Sequence, residues 1–205
     1  MMIPSAVPAS PAMNKSELRS TYLGRRRELS ASDIEKKSRQ IAERFFSEFD
    51  IAAIRTIHCF ISIPRLREVD TSLIYERVWR EFPHIGVVAP RMNRASGELN
   101  SIEFNPGSAL IENAWGIREP AGPLVDPSQI DVVIVPLLCY DRNGNRVGYG
   151  KGLYDKFLSK CRADCRKVGI SFFSPFDKID EVDEYDVLLD ACVTPEAIYS
   201  FHPTM

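Results

Sequence analysis

The sequence contains no long apolar run. No stretch approaches the roughly 20 residues needed to cross a bilayer, so an integral membrane protein is not expected. Neither sign of charge is in excess: 26 Lys and Arg stand against 28 Asp and Glu, a net charge of -2. A general nucleic-acid binder would usually be plainly basic, so this balance weighs against one while leaving room for a local basic pocket. Cysteine is sparse, odd in number and scattered, at positions 59, 139, 161, 165 and 192, which does not read as a disulfide framework. The start, MMIPSAVPASPAMN, lacks the basic opening and apolar core of a secretory signal. A reducing, cytoplasmic location is therefore expected. What is present is ordinary for a globular protein: 205 residues, 44% hydrophobic, 26% charged and 10% aromatic. That length fits one domain. Residues 1–13, rich in Pro, Ala and Ser, read as a flexible tail, and residues 14–205 as a single unit without repeats or linkers.

Helix and strand signals alternate along this unit. Asn14 or Ser16 can cap a helix running to about Leu29. Ser30 or Ser32 can cap a second, in which Ile34, Ser38, Ile41, Phe45 and Phe49 recur at steps of three and four and share one face. Thr56–Ile63 is apolar and β-branched, a buried strand ended by Pro64. A helix is predicted over Thr71–Phe82, a strand over Ile85–Ala89 stopped by Pro90, and a weak strand over Ile102–Phe104. Asp131–Pro136 gives the strongest strand signal, an almost continuous apolar run. A long loop, a helix from Gly152 to Lys160, and strands at Val168–Phe172 and Ala191–Thr194 complete the pattern. The alternation predicts an α/β fold, a three-layer α/β/α sandwich with a largely parallel, Rossmann-like central sheet.

One segment stands apart: Pro136-Leu-Leu-Cys-Tyr-Asp141-Arg-Asn-Gly144-Asn-Arg146-Val-Gly148-Tyr-Gly150-Lys151-Gly152-Leu-Tyr154-Asp155. It leaves the end of the best strand, where open α/β sheets bind ligands. Glycines at 148, 150 and 152 remove alternate side chains, so backbone N–H groups can approach a phosphate closely. The loop feeds a helix N-terminus with its partial positive charge, and Arg146 and Lys151 add full charges. The plainer alternative is a Gly-rich turn with solvated charges, and Asp141-Arg-Asn-Gly144 alone is an ordinary turn. The loop is not a Walker A motif, nor a Gly-x-Gly-x-x-Gly opening directly from a strand. Asp155, in the first helical turn, is either a helix-dipole partner or a Mg²⁺ ligand beside phosphates. Asp186 and Asp190 are candidates for a second carboxylate.

The run from Gly144 to Asp155 resembles the signature of the 5-formyltetrahydrofolate cyclo-ligase (5,10-methenyltetrahydrofolate synthetase) family. Other marks follow in the right order: Lys15-Ser-Glu-Leu-Arg19, Glu68-Val-Asp-Thr71, Arg118-Glu119-Pro120, Val135-Pro136, Tyr185-Asp186 and Val193-Thr194. Together they cover about residues 14–195. Leu153 departs from the family's frequent second tyrosine, and Pro64-Arg-Leu-Arg67 makes the link before Glu68 slightly longer than usual. The resemblance implies ATP- and Mg²⁺-dependent closure of 5-formyltetrahydrofolate to 5,10-methenyltetrahydrofolate, with ADP and phosphate released. The γ-phosphoryl group would pass to the formyl oxygen, and N10 of the same molecule would then attack.

By that match, Lys15, Arg19 and the loop Arg146, Val147, Gly148, Tyr149, Gly150, Lys151, Gly152, Leu153, Tyr154 are expected to contact ATP. Arg146 and Lys151 are the expected catalytic cations. Asp155 and Asp186 are the expected Mg²⁺ ligands. Ile61, Glu68, Trp115 and residues 149–153 are expected to bind the folate, with Trp115 equally readable as a core residue. The expected partners are reduced folate and ATP, without nucleic acid or membrane, and the chain is expected to be a monomer. His58 reads as a satisfied core residue, and His84 and His202 have no partners at ligand spacing. Cys161 and Cys165 lie one turn apart, but zinc would need two further ligands. Arg25-Arg-Arg27 reads as a solvated face from which one member could reach a phosphate. Two rivals stay open: an ATP-using relative with a changed substrate, and a noncatalytic nucleotide- or RNA-binding module.

Overall fold

The computed structural model describes residues 13–201. The tail expected over residues 1–13 lies, apart from Met13, outside the described residues, as does His202. The helices are α1 (Lys15–Glu28), α2 (Ala31–Glu48), α3 (Ser72–Glu81) and α4 (Leu153–Leu158). The strands are β1 (Thr56–Cys59), β2 (Gly86–Asn93), β3 (Glu98–Glu103), β4 (Leu110–Glu112), β5 (Arg118–Pro120), β6 (Leu124–Val125), β7 (Val132–Val135), β8 (Cys139–Tyr140), β9 (Arg146–Val147), β10 (Arg166–Ile170), β11 (Ala191–Val193) and β12 (Ile198–Ser200).

Eight strands form one sheet in the order β12-β11-β10-β7-β1-β2-β3-β6. The five from β11 to β2 run parallel, and the outer β12, β3 and β6 each pair antiparallel with their inner neighbour. Successive residues of a strand face opposite sides, so β7 feeds both layers. Val132 and Ile134 join Ile41, Phe45, Ile74 and Val78 of α2 and α3 on one face. Val133 and Val135 join Phe157 and Leu158 of α4 on the other. This is the three-layer α/β/α sandwich with a mostly parallel central sheet. Among the described residues no helix is long and apolar enough to span a membrane.

Both long helices start where side chains can satisfy the first free N–H groups. Asn14 caps α1 in a reciprocal box with Glu17, and Ser30 caps α2 in one with Asp33. Helix α1 lies off the sheet: Leu18 and Tyr22 pack on Leu138, Cys139 and Val147 of the β8–β9 hairpin. That contact brings Lys15 and Arg19 to the glycine loop.

Several elements differ from the sequence expectation. β1 ends at Cys59 rather than Ile63, because side chains take over its polar groups. The Phe60 carbonyl accepts from Thr71 Oγ1 at 2.6 Å, and the Ile63 N–H donates to Glu68 at 2.8 Å. β2 runs through Pro90. Val87 is hydrogen-bonded to Phe104, so Pro90, three residues on, sits in a non-hydrogen-bonded pair with Ser101. Its nitrogen faces the side that β1 pairs only as far as Val88, so the missing N–H removes no ladder bond. α4 is shorter than expected at both ends: Gly152 in the left-handed region (φ 61°) stands outside the helix as its N-cap, and past Leu158 the chain tightens into turns in which the Lys160 N–H donates to the Phe157 carbonyl and the Cys161 N–H to the Leu158 carbonyl. The hairpins β4–β5 and β8–β9 and the strands β6 and β12 were not expected.

Candidate active site

A cleft of about 480 Å³ opens beyond the carboxyl ends of the parallel strands. Its walls come from α1, the segment after β1, the β2–β3 ribbon, the β4–β5 hairpin, the glycine loop and Asp186. The residues that the resemblance implies line it: Lys15, Arg19, Ile61, Glu68, Trp115, Arg146 to Asp155, and Asp186. Asp190, the other candidate carboxylate, does not; it accepts from the Lys167 N–H at 2.7 Å and pairs with Lys167 Nζ at 3.1 Å.

The loop is fixed from below by Asp141, which is fully buried. Asp141 Oδ1 accepts from the N–H groups of Asn143 and Asn145, each at 2.9 Å, and Oδ2 from Asn145 Nδ2 at 2.8 Å. Gly144 turns the hairpin at φ 85°, and a Cβ there would meet the Leu189 carbonyl at 2.9 Å, so glycine is required. The chain then reaches Gly148, Gly150 and Gly152 with its backbone exposed to the cleft.

One half of the cleft is cationic. Lys15 and Arg19, a turn apart on α1, face the loop. Arg19 Nε donates to the Gly148 carbonyl at 3.1 Å, and its guanidinium lies against Gly150 (φ 87°), where a Cβ would approach to 3.2 Å. Arg146 is buried, with its side chain 6% exposed; it pairs with Asp155 at 2.5 Å and donates to the Val187 carbonyl. Burial presses its guanidinium below the ordinary arginine range, against the opposing pull of Asp155 and Asp186. Lys15 Nζ pairs with Asp186 at 2.5 Å. Partial burial pushes the Asp186 carboxyl up, but the Asp183 N–H, Lys15 and Arg146 outweigh it and hold it below the usual range.

Asp155 and Asp186 line the same part of the cleft, and Asp155 Oδ1 accepts from the N–H of Val187, the residue after Asp186, at 3.2 Å. Among the described residues no group of three or more His, Cys, Asp or Glu side chains is placed to hold a metal. Two hard carboxylates do fit the way Mg²⁺ is usually bound, through one or two protein oxygens with water and phosphate oxygens completing the shell.

The other half of the cleft is apolar, with Phe60, Ile61, Met92, Leu99 and Trp115, and two carboxylates are set into it. Trp115 is 48% exposed at the mouth, not a core residue; the tryptophan packed against the core is the partly buried Trp79. Lys151 Nζ stands 5.2 Å from the Trp115 ring centroid. Glu119 accepts from the Met92 N–H at 3.0 Å and from Asn113 Nδ2 at 2.9 Å. Glu68 is only 6% exposed. Its Oε2 accepts from the Ile63 N–H at 2.8 Å and its Oε1 from the Tyr149 hydroxyl at 2.6 Å. Burial raises the Glu68 carboxyl, and Tyr149, Ile63 and Arg26 partly counter it.

Arg26 was read from the sequence as one of three solvated arginines, and the structure corrects this. It is 4% exposed and donates to the Tyr149 hydroxyl at 2.8 Å and to the Leu137 carbonyl. A signal was available: Leu18, Tyr22 and Arg26 follow at steps of four, so they share the inward stripe of α1. His58 lies beneath the loop, fully buried, with Nδ1 3.0 Å from Ser101 Oγ and Nε2 3.4 Å from the Tyr154 hydroxyl. Burial pulls its pKa down to about 3, so the ring is neutral.

The sequence profile of the 5-formyltetrahydrofolate cyclo-ligase family matches residues 11–195. A 5-formyltetrahydrofolate cyclo-ligase of Escherichia coli K12 is 29% identical over 183 residues, covering 86% of this chain and 98% of that one. A probable 5-formyltetrahydrofolate cyclo-ligase of Schizosaccharomyces pombe is 26% identical over 202 residues, covering 91% and 98%. The solution structure of Aquifex aeolicus 5,10-methenyltetrahydrofolate synthetase superposes with a TM-score of 0.80 at 27% identity, over 94% of this chain and 95% of that one. With the fold, the glycine loop and the profile in agreement over most of its length, the chain belongs to the 5-formyltetrahydrofolate cyclo-ligase family.

Proposed function

We propose that the protein converts 5-formyltetrahydrofolate to 5,10-methenyltetrahydrofolate with ATP and Mg²⁺, releasing ADP and phosphate. The observation that supports this most directly is the glycine loop, which forms a shared wall between a cationic half-cleft and an apolar half-cleft bearing buried carboxylates. ATP fits the first half, with its phosphates against the loop amides, Lys15, Arg19 and Arg146. The reduced folate fits the second. Glu68 offers a carboxylate to the adjacent N–H donors of the pterin edge, and Ile61 and Trp115 offer apolar surface to its ring.

The chemistry asks for orientation and charge stabilisation rather than a nucleophile. An amide oxygen is a poor leaving group, and taking the γ-phosphoryl group makes it a good one. N10 then attacks the same carbon and gives up its proton, the carbon–oxygen bond breaks so that phosphate leaves with the oxygen, and the ring closes. Both partners of that attack belong to one molecule, so the cleft has mainly to hold them near contact. Arg146 and Lys151 stabilise the negative charge carried by the moving phosphoryl group. Asp155 and Asp186 hold Mg²⁺ directly or through water, and the bound ion supplies charge neutralisation at the phosphate oxygens. Leu153, in place of a tyrosine, gives the folate side an apolar contact without a hydroxyl.

The test is to mix purified protein with 5-formyltetrahydrofolate and Mg-ATP and follow the near-ultraviolet methenyl chromophore. Its appearance, stoichiometric with ADP, is expected. Nucleotide turnover only with another acceptor would point to a relative with a changed substrate. Absence of nucleotide binding would point to a noncatalytic module.

A further inference from the structure

We propose that Arg26 is a positioning residue for the folate: through the Tyr149 hydroxyl it holds the Glu68 carboxylate charged and aimed at the pterin edge. This rests on the reading above, in which Glu68 faces the folate.

The direction of each hydrogen bond follows from chemistry alone. A guanidinium has donors and no acceptor. The Tyr149 oxygen, 2.8 Å from Arg26 Nη1, must therefore accept there. Its own proton then goes to Glu68 Oε1, 2.6 Å away. The result is a one-way chain, guanidinium to phenol to carboxylate, in which the phenol is polarised at both ends. Arg26 has little else to do with its charge: its other bond goes to the Leu137 carbonyl, and its buried Nε has no hydrogen-bond partner among the described residues. A buried cation is retained at a cost unless an opposite charge answers it. Glu68 is the carboxylate this chain delivers.

The arrangement also addresses a difficulty in the site. A carboxylate set in apolar surroundings tends to take up a proton, and the neutral acid cannot accept two N–H groups from a ring edge. Three elements pack charged or titratable groups against Glu68: Arg26 from α1, Tyr149 from the glycine loop and Tyr154 from the start of α4. The segment before Glu68 supplies the neutral N–H of Ile63, while its Arg65 lines the same cleft and its Arg67 turns away to the Leu29 carbonyl. Among the described residues Arg26 is the cation linked to Glu68, and it acts through Tyr149.

The experiment measures 5-formyltetrahydrofolate and ATP affinities separately for wild type, Arg26→Leu and Tyr149→Phe, across pH. Wild-type turnover first tests the function itself; the variant-to-wild-type ratios then test Arg26. In Arg26→Leu, folate affinity at neutral pH is expected to fall about tenfold, the scale of one charge-assisted hydrogen bond. Its acid midpoint is expected to move upward, so that raising the pH restores binding, while ATP affinity stays within about twofold. Tyr149→Phe should shift the midpoint the same way by less, because the charge of Arg26 remains nearby. If Arg26→Leu does not fold, Tyr149→Phe decides alone. Equal losses for both ligands, or an unmoved midpoint in the variants that fold, would overturn the proposal.

Discussion

Replacing Arg146 with alanine removes a buried cation from the place where phosphoryl charge is expected to develop. The structure lets the two consequences be separated. For stability, the change breaks the 2.5 Å pair with Asp155 and a bond to the Val187 carbonyl. Stripping a buried pair of one partner costs about 3–5 kcal/mol when the other charge is left dry. Asp155 is 26% exposed and keeps the Val187 N–H, so water and that amide take up part of the load, and about 1–3 kcal/mol is expected. For catalysis, loss of a preorganised charge at a transferring phosphoryl group is worth about 10²- to 10⁴-fold, or roughly 3–5 kcal/mol of barrier. Arg146→Lys keeps the charge but cannot reach both Asp155 and Val187, so it should recover part of the rate and little of the rigidity. Chromophore formation at saturating ATP and folate gives kcat, and a thermal melt gives folding. A folded Arg146→Ala protein with kcat within threefold of wild type would refute the assignment.

Other consequences are as direct. Asp155→Asn should raise the Mg²⁺ concentration needed for half activity by about tenfold, since a hard cation loses one carboxylate ligand; an identical metal titration would remove Asp155 from that role. Gly150→Ala forces a side chain to φ 87° and against the Arg19 guanidinium, so calorimetry should show nucleotide-analogue binding weakened by about 1–3 kcal/mol with folding kept. Nucleotide drawing Lys151 from the Trp115 ring should change the tryptophan emission, and Trp115→Phe should abolish that change although Trp79 remains; a persisting signal would place its source elsewhere. His58 ionises near 6.5 when unfolded and near 3 in the fold, so the unfolded chain binds more protons between those values. Stability is therefore intact above about pH 6.5 and falls as the pH drops, by about 2 kcal/mol at pH 5. Denaturant melts of wild type against His58→Gln would show this, the variant losing that part of the slope.

The helices were legible because local chemistry specifies them. Asn14 with Glu17 and Ser30 with Asp33 satisfy the first N–H groups without any distant partner, and the stepping of Ile41 and Phe45 marks the face that α2 buries. The central strands were legible for a related reason: Val132–Val135 is apolar on both sides because both sides are covered. The hairpins β4–β5 and β8–β9 were not. Each strand has only two or three residues, too few for a period to show, and their pairing is set by the cleft they border. Only the second half of β2 escaped, through Pro90, whose effect depends on where its neighbour strand stops. The residues that the motif singles out meet in one cleft, but the motif contains no trace of Arg26. A basic run reads as solvated unless its spacing from Leu18 and Tyr22 is taken with it.

That cleft suggests why glycines alternate in the loop. Two ligands that must react have to lie within bond-forming distance, so whatever divides their pockets must be thin. A strand-like segment with side chains on both faces would hold them apart by two layers of atoms. Removing the side chains at 148, 150 and 152 leaves one face as bare backbone, and the cationic half takes that face: Arg19 lies directly on Gly150 and on the Gly148 carbonyl. The intervening side chains turn to the other half, Tyr149 to Glu68 and Lys151 to Trp115. The wall is thus one backbone thick on the cationic side and equipped with functional groups on the apolar side. A side chain at Gly148, which has no neighbour within 4 Å of an added Cβ and no left-handed φ, would fit sterically and yet thicken the wall. Gly148→Ala should therefore fold normally, bind each ligand alone almost as wild type does, and lose rate when both are present; an unimpaired rate would show that the separation is not set there.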